Sequence, residues 1–383
     1  MSISPFIYGN TVSTYSFTNR EKDLEKLKNN LLNGINTMII SPRRWGKSSL
    51  VEKAILEINK TKSSHKTVLI DLFSVNGEEA FLEIFAREVI KASSTKWEDW
   101  ISSGKDFFKN LIPQISVGID PNNDFSLSFD WKELKKHSSE ILNLPEIIAE
   151  KKGIKIIVFL DEFQNLASFN DYENFEKKMR SVWQRQKNVS YCLFGSKRHM
   201  MSEIFNNPSK PFYRFGDIIL LQKIETHRWI DFICTSFEET GKSMDKEIAE
   251  KIALTMKNHS WYVQQLSHYT WNLTQEETHI EDVNNALIEL INANTPLYQN
   301  EVENLSDTQL NFLKSVAKKE TQFTSTAVMQ TYRLGTPRNV LRNKSILINK
   351  DLIHLNNGIY EFLDPAFELW FQKQYFNKKY QIL

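Results

Sequence analysis

The chain has two cysteines in 383 residues, Cys192 and Cys234, both in apolar surroundings. Two are too few for a disulfide framework or a cysteine-ligated zinc cluster, and they suit a reducing compartment. Net charge is nearly absent as well, at +1. That excludes a surface built wholly to clamp a polyanion, while leaving room for a local basic patch. No apolar run approaches the length that crosses a bilayer, and Met1 to Tyr8 lack the charged and apolar regions of a signal peptide. A soluble cytoplasmic protein with no membrane partner is the expectation. Low-complexity segments and short repeats are missing too. With a 41% hydrophobic fraction, a chain of this length is expected to form two or three domains.

Against these absences stands one dense motif, Ser41-Pro-Arg-Arg-Trp-Gly-Lys-Ser-Ser49. It follows the apolar run Thr37 to Ile40 and precedes a helix-like Leu50 to Glu57. Strand, loop and helix in that order are what a phosphate-binding loop requires. Backbone N–H groups around Trp45, Gly46 and Lys47 would converge on a β-phosphate at the positive end of a helix. Lys47 would bridge β- and γ-phosphate oxygens, and Ser48 would join the coordination sphere of Mg²⁺. Ser41, Pro42, Arg43, Arg44 and Ser49 complete the candidate loop. The usual first glycine is replaced by Ser41, so the loop entrance must accept a Cβ or carry strain. An ordinary strand-to-helix turn is the alternative, and a second motif weighs against it.

That motif is Ile156-Ile-Val-Phe-Leu-Asp-Glu162. Five apolar residues without alternation predict a strand covered on both faces, as in a parallel sheet. Asp161 then lies at the carboxyl end of its strand, where open α/β sheets place ligands. It would hold Mg²⁺ through water, and Glu162 would act as general base on an attacking water. A third run, Ser190 to Ser196, predicts another buried strand. Ser196 is either a sensor of the γ-phosphate or lytic water, or the N-cap of the segment that follows. Arg214, in Pro211-Phe-Tyr-Arg214 ahead of the run Ile218 to Leu221, is either an arginine finger, in its own subunit or across an oligomer interface, or a solvated surface side chain.

Periodicity supplies the remaining layout. An amphipathic helix begins at Asn19 with Leu24, Leu27, Leu31 and Leu32 on its apolar face, Thr67 to Leu72 predicts a strand, and Glu78 to Ala92 a helix. Alternation over Gln114 to Gly118 and Phe125 to Phe129 predicts a hairpin inserted at about 112–130, with helix resuming over Trp131 to Glu150. From Thr226 to about Asn300 apolar residues recur at three and four, which predicts a helical lid. Helices are expected at Ser306 to Lys318, Ser325 to Tyr332 and from Pro337 to about Asn349, with Thr336 as N-cap. A tight hairpin through Asn356, Asn357 and Gly358 follows. Three helices and a hairpin describe a winged helix-turn-helix. Its third helix carries Arg338, Asn339, Arg342, Asn343 and Lys344, residue types that contact bases and phosphates in a major groove. From Ser306 to Leu383 there are 11 Lys and Arg against 6 Asp and Glu, a local surplus of five. Double-stranded DNA and a protein-binding or structural role are the two readings. The tryptophans, Trp45, Trp97, Trp100, Trp131, Trp183, Trp271 and Trp370 among them, are read as packing residues.

In this order, the loop, Asp161-Glu-Phe-Gln164, Gly195-Ser196, Pro211 to Arg214, the helical lid and the winged helix resemble the archaeal-type ATPases, a group within the AAA+ and STAND branches of P-loop NTPases. The resemblance runs from Pro5 to Pro365. It implies an α/β P-loop parallel sheet with helices on both faces at 1–222, a lid at 223–303 and a winged helix at 304–383. It also implies ATP and Mg²⁺, an ATPase acting as a nucleotide-dependent switch, and Arg20 near the adenine. Other roles open to such a chain are an ATP-gated DNA-binding module, and a scaffold or defence sensor triggered by a protein partner or a second copy. The family's lid commonly has Gly-x-Pro at the nucleotide, whereas this chain has Ser260 at the proline position.

Overall fold

The structure, a computed structural model, describes residues 3–9, 20–93, 137–356, 358–380 and 382, together with the backbone pairing of 116–119 and 125–128. Trp97, Trp100 and Trp131, and the start of the helix expected from Trp131, lie outside the described residues. The chain forms two compact units. One comprises Arg20–Arg43 and Lys47–Gln222; the other comprises Met1–Asn19, Arg44–Gly46 and Lys223–Leu383.

The first unit is built on a five-stranded parallel sheet. Its strands are β1 (Thr37–Ile40), β2 (His65–Asp71), β5 (Lys155–Asp161), β6 (Val189–Gly195) and β7 (Asp217–Leu220), in the order β2-β5-β6-β1-β7. β6 is buried along its whole length and β5 over its five apolar residues, as continuous apolar runs in a parallel sheet require. The helices of this unit are α1 (Glu21–Leu32), α2 (Lys47–Thr61), α3 (Glu78–Ser93), α4 (Ser138–Lys152), α5 (Tyr172–Trp183) and α6 (Arg198–Asn206), with a 3₁₀ turn at Phe163–Ser168. Leu24, Leu27 and Leu31 of α1 are buried, one stripe at helical spacing. A strongly aromatic core fills the unit: Trp183 stacks on Tyr191 at 4.1 Å between centroids, and the Tyr191 hydroxyl donates to Gln186 Oε1 at 2.7 Å. Buried Glu146 of α4 accepts the backbone N–H groups of Lys187 (3.1 Å) and Asn188 (2.9 Å), fixing the turn that feeds β6. The inserted hairpin is present as β3 (Ser116–Ile119) and β4 (Phe125–Ser128), paired antiparallel.

The second unit holds the helices α7 (Thr226–Glu238), α8 (Lys246–Thr255), α9 (Ser260–Leu273) and α10 (Ile280–Glu303), and then a winged-helix arrangement. That arrangement consists of α11 (Asp307–Ala317), α12 (Thr326–Thr331), α13 (Pro337–Asn349), β8 (Ile353–Asn356), β9 (Ile359–Phe362) and α14 (Pro365–Phe376). Caps define its starts. Ser306 and Gln309 form a reciprocal capping box on α11, Ser325 caps α12, Thr336 accepts from Asn339 N–H ahead of Pro337, and Asp364 accepts from Phe367 N–H ahead of Pro365. Each such cap stabilises its helix by about 1 kcal/mol. The last helix, α14, extends the three helices and hairpin expected from the sequence. The N-terminal segment belongs to this unit too: Phe6 is buried beside Phe232 and Phe237, and Ile7 N–H donates to Gln264 Oε1 at 3.2 Å.

Candidate nucleotide site at the carboxyl ends of the strands

β1 ends at Ile40, and the chain turns through Ser41–Gly46 into α2. The left-handed residues of this loop are Arg44 (φ 64°) and Gly46 (φ 87°), and Ser41 is not one of them. The missing first glycine is thus absorbed without strain at Ser41, which is buried and donates its hydroxyl to Pro42 O at 3.0 Å. At Gly46 a Cβ would meet no described atom within 4 Å, while the backbone conformation favours glycine. Of the other loop residues, Pro42 and Ser49 are buried, Arg43 and Arg44 are exposed, and Ser48 is half-buried.

Lys47, the first residue of α2, is 7% exposed, and its Nζ lies 3.8 Å from Asp161 Oδ1 and 5.7 Å from the Phe194 ring centroid. Burial pushes the Asp161 carboxyl up to about 6, against the opposing pull of Lys47 and of the Glu162 N–H that it accepts at 2.7 Å. Parallel register sets Asp71 beside Asp161 at the end of β2, and its charge also raises the Asp161 carboxyl. Glu162 has a left-handed backbone (φ 51°). Its Oε2 accepts two donors, Ser196 Oγ at 3.0 Å and Gln164 Nε2. Arg43 Nε reaches Ser196 Oγ at 3.3 Å. Lys47 thus pairs with Asp161, while Arg43, Ser196, Glu162 and Gln164 form a hydrogen-bonded chain beside them. Ser196 makes side-chain contacts at this site, and Lys197 is the residue that directly precedes α6.

Two other expected site residues, Arg20 and Arg214, have partners outside the Lys47, Asp161 and Glu162 group. Arg20 is buried, and its Nη1 donates to Gln222 O (2.8 Å) and Asp23 Oδ2 (3.2 Å) at the start of α1. Burial lowers its pKa. Arg214 is exposed in a left-handed conformation with its guanidinium 5.1 Å from its own Tyr213 ring, and it does not join the Lys47, Asp161 and Glu162 group.

In the second unit, the loop residues Arg44 and Trp45 have their own partners. Arg44 Nη1 contacts the Tyr262 hydroxyl at 3.3 Å, and its guanidinium lies 4.6 Å over the Trp261 ring. Tyr262 in turn donates to Asp364, the cap of α14. Trp45 is buried against the edge of His259. His259 itself is buried, its pKa pushed down to about 3 by burial and by the nearby Lys223 and Arg44 charges, so it is neutral at physiological pH. Ser260, the residue in place of the lid proline, is the first residue of α9 with His259 as its cap. Tyr262 and Asp71 are functional candidates that sequence patterning did not single out, and Gln164 stands there only as the end of a motif, with no role.

On the winged helix, Arg338, Asn339 and Arg342 are exposed along one face of α13, and Lys344 is half-buried with its ammonium 5.5 Å from the Tyr360 ring centroid. Asn343 is turned inward, 6% exposed, on the side of Val340 and Leu347. It is removed from the group of outward-facing candidates.

The site suits a nucleoside triphosphate with Mg²⁺. A helix start, a left-handed glycine and a buried lysine match a phosphate, and hard oxygens from Ser48 and Asp161 match Mg²⁺. Among the described residues there is no cluster of three or more metal-ligating side chains. No helix among the described residues is long and apolar enough to cross a membrane.

Comparison with known proteins gives the same architecture. Residues 296–373 match a family model described as a probable winged helix domain. No curated protein sequence matches the chain. Among solved structures, the chain is similar to a Walker-type ATPase of Pyrococcus abyssi (TM-score 0.64, 17% identity, 93% of this chain and 96% of that one). It is also similar to the Aeropyrum pernix ORC2 protein in ADPNP–ADP complexes (TM-score 0.57, 13% identity, 94% of each chain), and to the ORC1 protein of the same organism in complex with DNA (TM-score 0.50, 13% identity, 96% of each chain). The chain therefore shares the fold of these solved structures, a five-stranded parallel sheet with a phosphate-binding-type loop, followed by helices and a C-terminal winged helix.

Proposed function

We propose that this protein is a nucleotide-dependent switch that binds and hydrolyses ATP, with Lys47 and the loop Ser41–Ser49 on the phosphates and Ser48 and Asp161 holding Mg²⁺. The observation that carries this reading is the joining of Lys47 to Asp161, and of Glu162 to Ser196 and Arg43, at the carboxyl ends of three parallel strands. Bound Mg²⁺ would supply charge neutralisation at the β- and γ-phosphates. Glu162 Oε2 is occupied by two donors, which leaves Oε1 to take the proton as a water oxygen bonds to the γ-phosphorus and the bond to the ADP oxygen breaks. Ser196, bonded to both Arg43 and Glu162, would serve together with Arg43 as a sensor of the γ-phosphate. The Tyr213 stacking of Arg214 suits service to a neighbouring copy of the chain better than service to its own site. A cytoplasmic setting fits the buried, unpaired thiols of Cys192 and Cys234.

A second reading adds double-stranded DNA as the partner. It is favoured by the exposed face of Arg338, Asn339 and Arg342 on α13, which is open to solvent and not packed as a scaffold element. The deciding experiment measures ATP binding and hydrolysis with Mg²⁺, with and without duplex DNA, for the native chain and for Glu162→Gln. We expect Glu162→Gln to keep nucleotide affinity and lose about 10²- to 10⁴-fold in turnover. Unchanged hydrolysis in that variant removes Glu162 as base. Turnover stimulated by DNA makes the winged helix a reader; turnover indifferent to DNA makes the protein a switch whose partner is another protein.

A further inference from the structure

Gln164 is 1% exposed at the start of the 3₁₀ turn that follows β5. Its Nε2 donates to Glu162 Oε2, the oxygen that also accepts from Ser196 Oγ at 3.0 Å. Its Oε1 is buried with no hydrogen-bond partner among the described residues. That atom lies over Gly195, the last residue of β6: a Cβ built there would stand 1.8 Å from Gln164 Oε1, 2.9 Å from its Cδ and 3.0 Å from Met201 Sδ. Gly195 is not among the residues of positive φ. Close approach, not backbone conformation, therefore requires glycine at this position.

We infer that Gln164 is a positioning residue for Glu162, and that Gly195 is glycine because it seats the Gln164 carboxamide. The inference rests on the reading of Glu162 as general base. A glutamate side chain has three rotatable bonds, and here the backbone beneath it is left-handed. Two donors converging on one oxygen from different elements, the end of β6 and the 3₁₀ turn, leave the carboxylate one orientation with Oε1 free to receive a proton. Gln164 can supply its donor only while the Gly195 slot holds its other end. A methyl group at 195 pushes the flexible end of Gln164 aside, away from the position from which its Nε2 donates, and Glu162 loses one of its two restraints.

The test is a cycle of Gln164→Met, Gly195→Ala and the double variant, measured beside Glu162→Gln. Gln164→Met keeps length and removes the donor. It should lower kcat about 10- to 100-fold while nucleotide Kd stays within about twofold, a split that general loosening of the fold would not give. Gly195→Ala should lower kcat in the same way, and the double variant should be no slower than Gln164→Met alone. A native kcat in Gln164→Met, or losses that multiply in the double variant, overturns the inference. If Glu162→Gln hydrolyses ATP like the native chain, or the native chain has no turnover, it is the base reading that fails. The seat is then judged by melting temperature: Gly195→Ala should lower Tm in the native background and lower it less when Gln164→Ala is also present. Equal drops in the two backgrounds overturn the seat, leaving Met201 as what meets the added methyl.

Discussion

The carboxyl ends of β1, β5 and β6 and the outer face of α13 carry side chains of similar type, and the molecule holds them in opposite ways. At the strand ends, Lys47 is buried against Asp161, and Glu162 is fixed by Ser196 and Gln164. On α13, Arg338, Asn339 and Arg342 stand in solvent. A buried charge costs several kcal/mol unless it is paired, so its presence calls for an explanation, whereas an exposed charge is nearly free to keep. The strand-end group therefore reads as a site from the pairing of a buried lysine with a carboxylate at the strand ends. The α13 face reads as a surface, and only a partner turns it into a site.

The strongest way to break this comparison is Lys47→Ala. Removing the ammonium takes away the charged contact to the phosphates and leaves half-buried Asp161 without its cation, so its carboxyl should titrate at still higher pH in the nucleotide-free protein. We expect nucleotide affinity to fall by about 100-fold or more, roughly 3 kcal/mol or above, by calorimetric or fluorescent-nucleotide titration. Affinity within a factor of three of native would mean that the buried pair is structural.

Burial is not the same as function, and Glu176 of α5 sharpens the point. It is 1% exposed and its Oε2 has no hydrogen-bond partner among the described residues. Burial pushes its carboxyl up to about 7, partly opposed by Lys210 and reinforced by Glu173. The folded chain thus keeps a proton that the unfolded chain releases near its ordinary value of 4.5. Stability from this group is greatest below about 4.5, falls as pH rises toward 7, and is level above that. Glu176→Gln should remove the slope and raise stability by about 2–3 kcal/mol at pH 8, with little change at pH 4.5. Urea unfolding of both chains at the two pH values measures it. A slope equal to that of the native chain would show that Glu176 is charged and paired in solution.

The legibility of these features follows from how far apart in sequence their parts lie. The phosphate loop and the Asp161-Glu162 pair were readable because chemistry demands contiguous residues beside strand and helix patterns. Gln164 over Gly195, and Asp71 beside Asp161, were not readable, because they depend on which strands are neighbours. In this sheet β6 stands between β1 and β5, and β2 lies beyond β5. The helix α14 was missed although Asp364 and Pro365 signal its start. Phe367, Leu369, Trp370, Phe371, Tyr375 and Phe376 spread apolar bulk around the helix, so no stripe stands out. Asn343 was misassigned for the opposite reason. It falls at helical spacing between Val340 and Leu347, and that periodicity, given more weight than side-chain type, would have placed it inside.

The smallest expected effect on the protein itself is also the one that decides what α13 is for. Arg338→Ala and Arg342→Ala remove charges that are exposed, so each should change folding stability by no more than about 0.5 kcal/mol. Nucleotide affinity should be unaffected. If α13 enters a DNA groove, each arginine that meets a phosphate releases about one counterion, so the double variant should lower the slope of log affinity against log salt by about 2. An arginine on a base edge would instead cost about 1–3 kcal/mol and relax sequence preference at one position. Leu341 lies exposed between the two arginines, and an apolar side chain there suits either a thymine methyl or a protein surface. Leu341→Asn therefore separates the two partners. A DNA-binding face should keep most of its salt-dependent affinity in that variant, because phosphate contacts dominate it. A protein-binding face should lose affinity more through Leu341 than through either arginine, because desolvated apolar anchors dominate such interfaces.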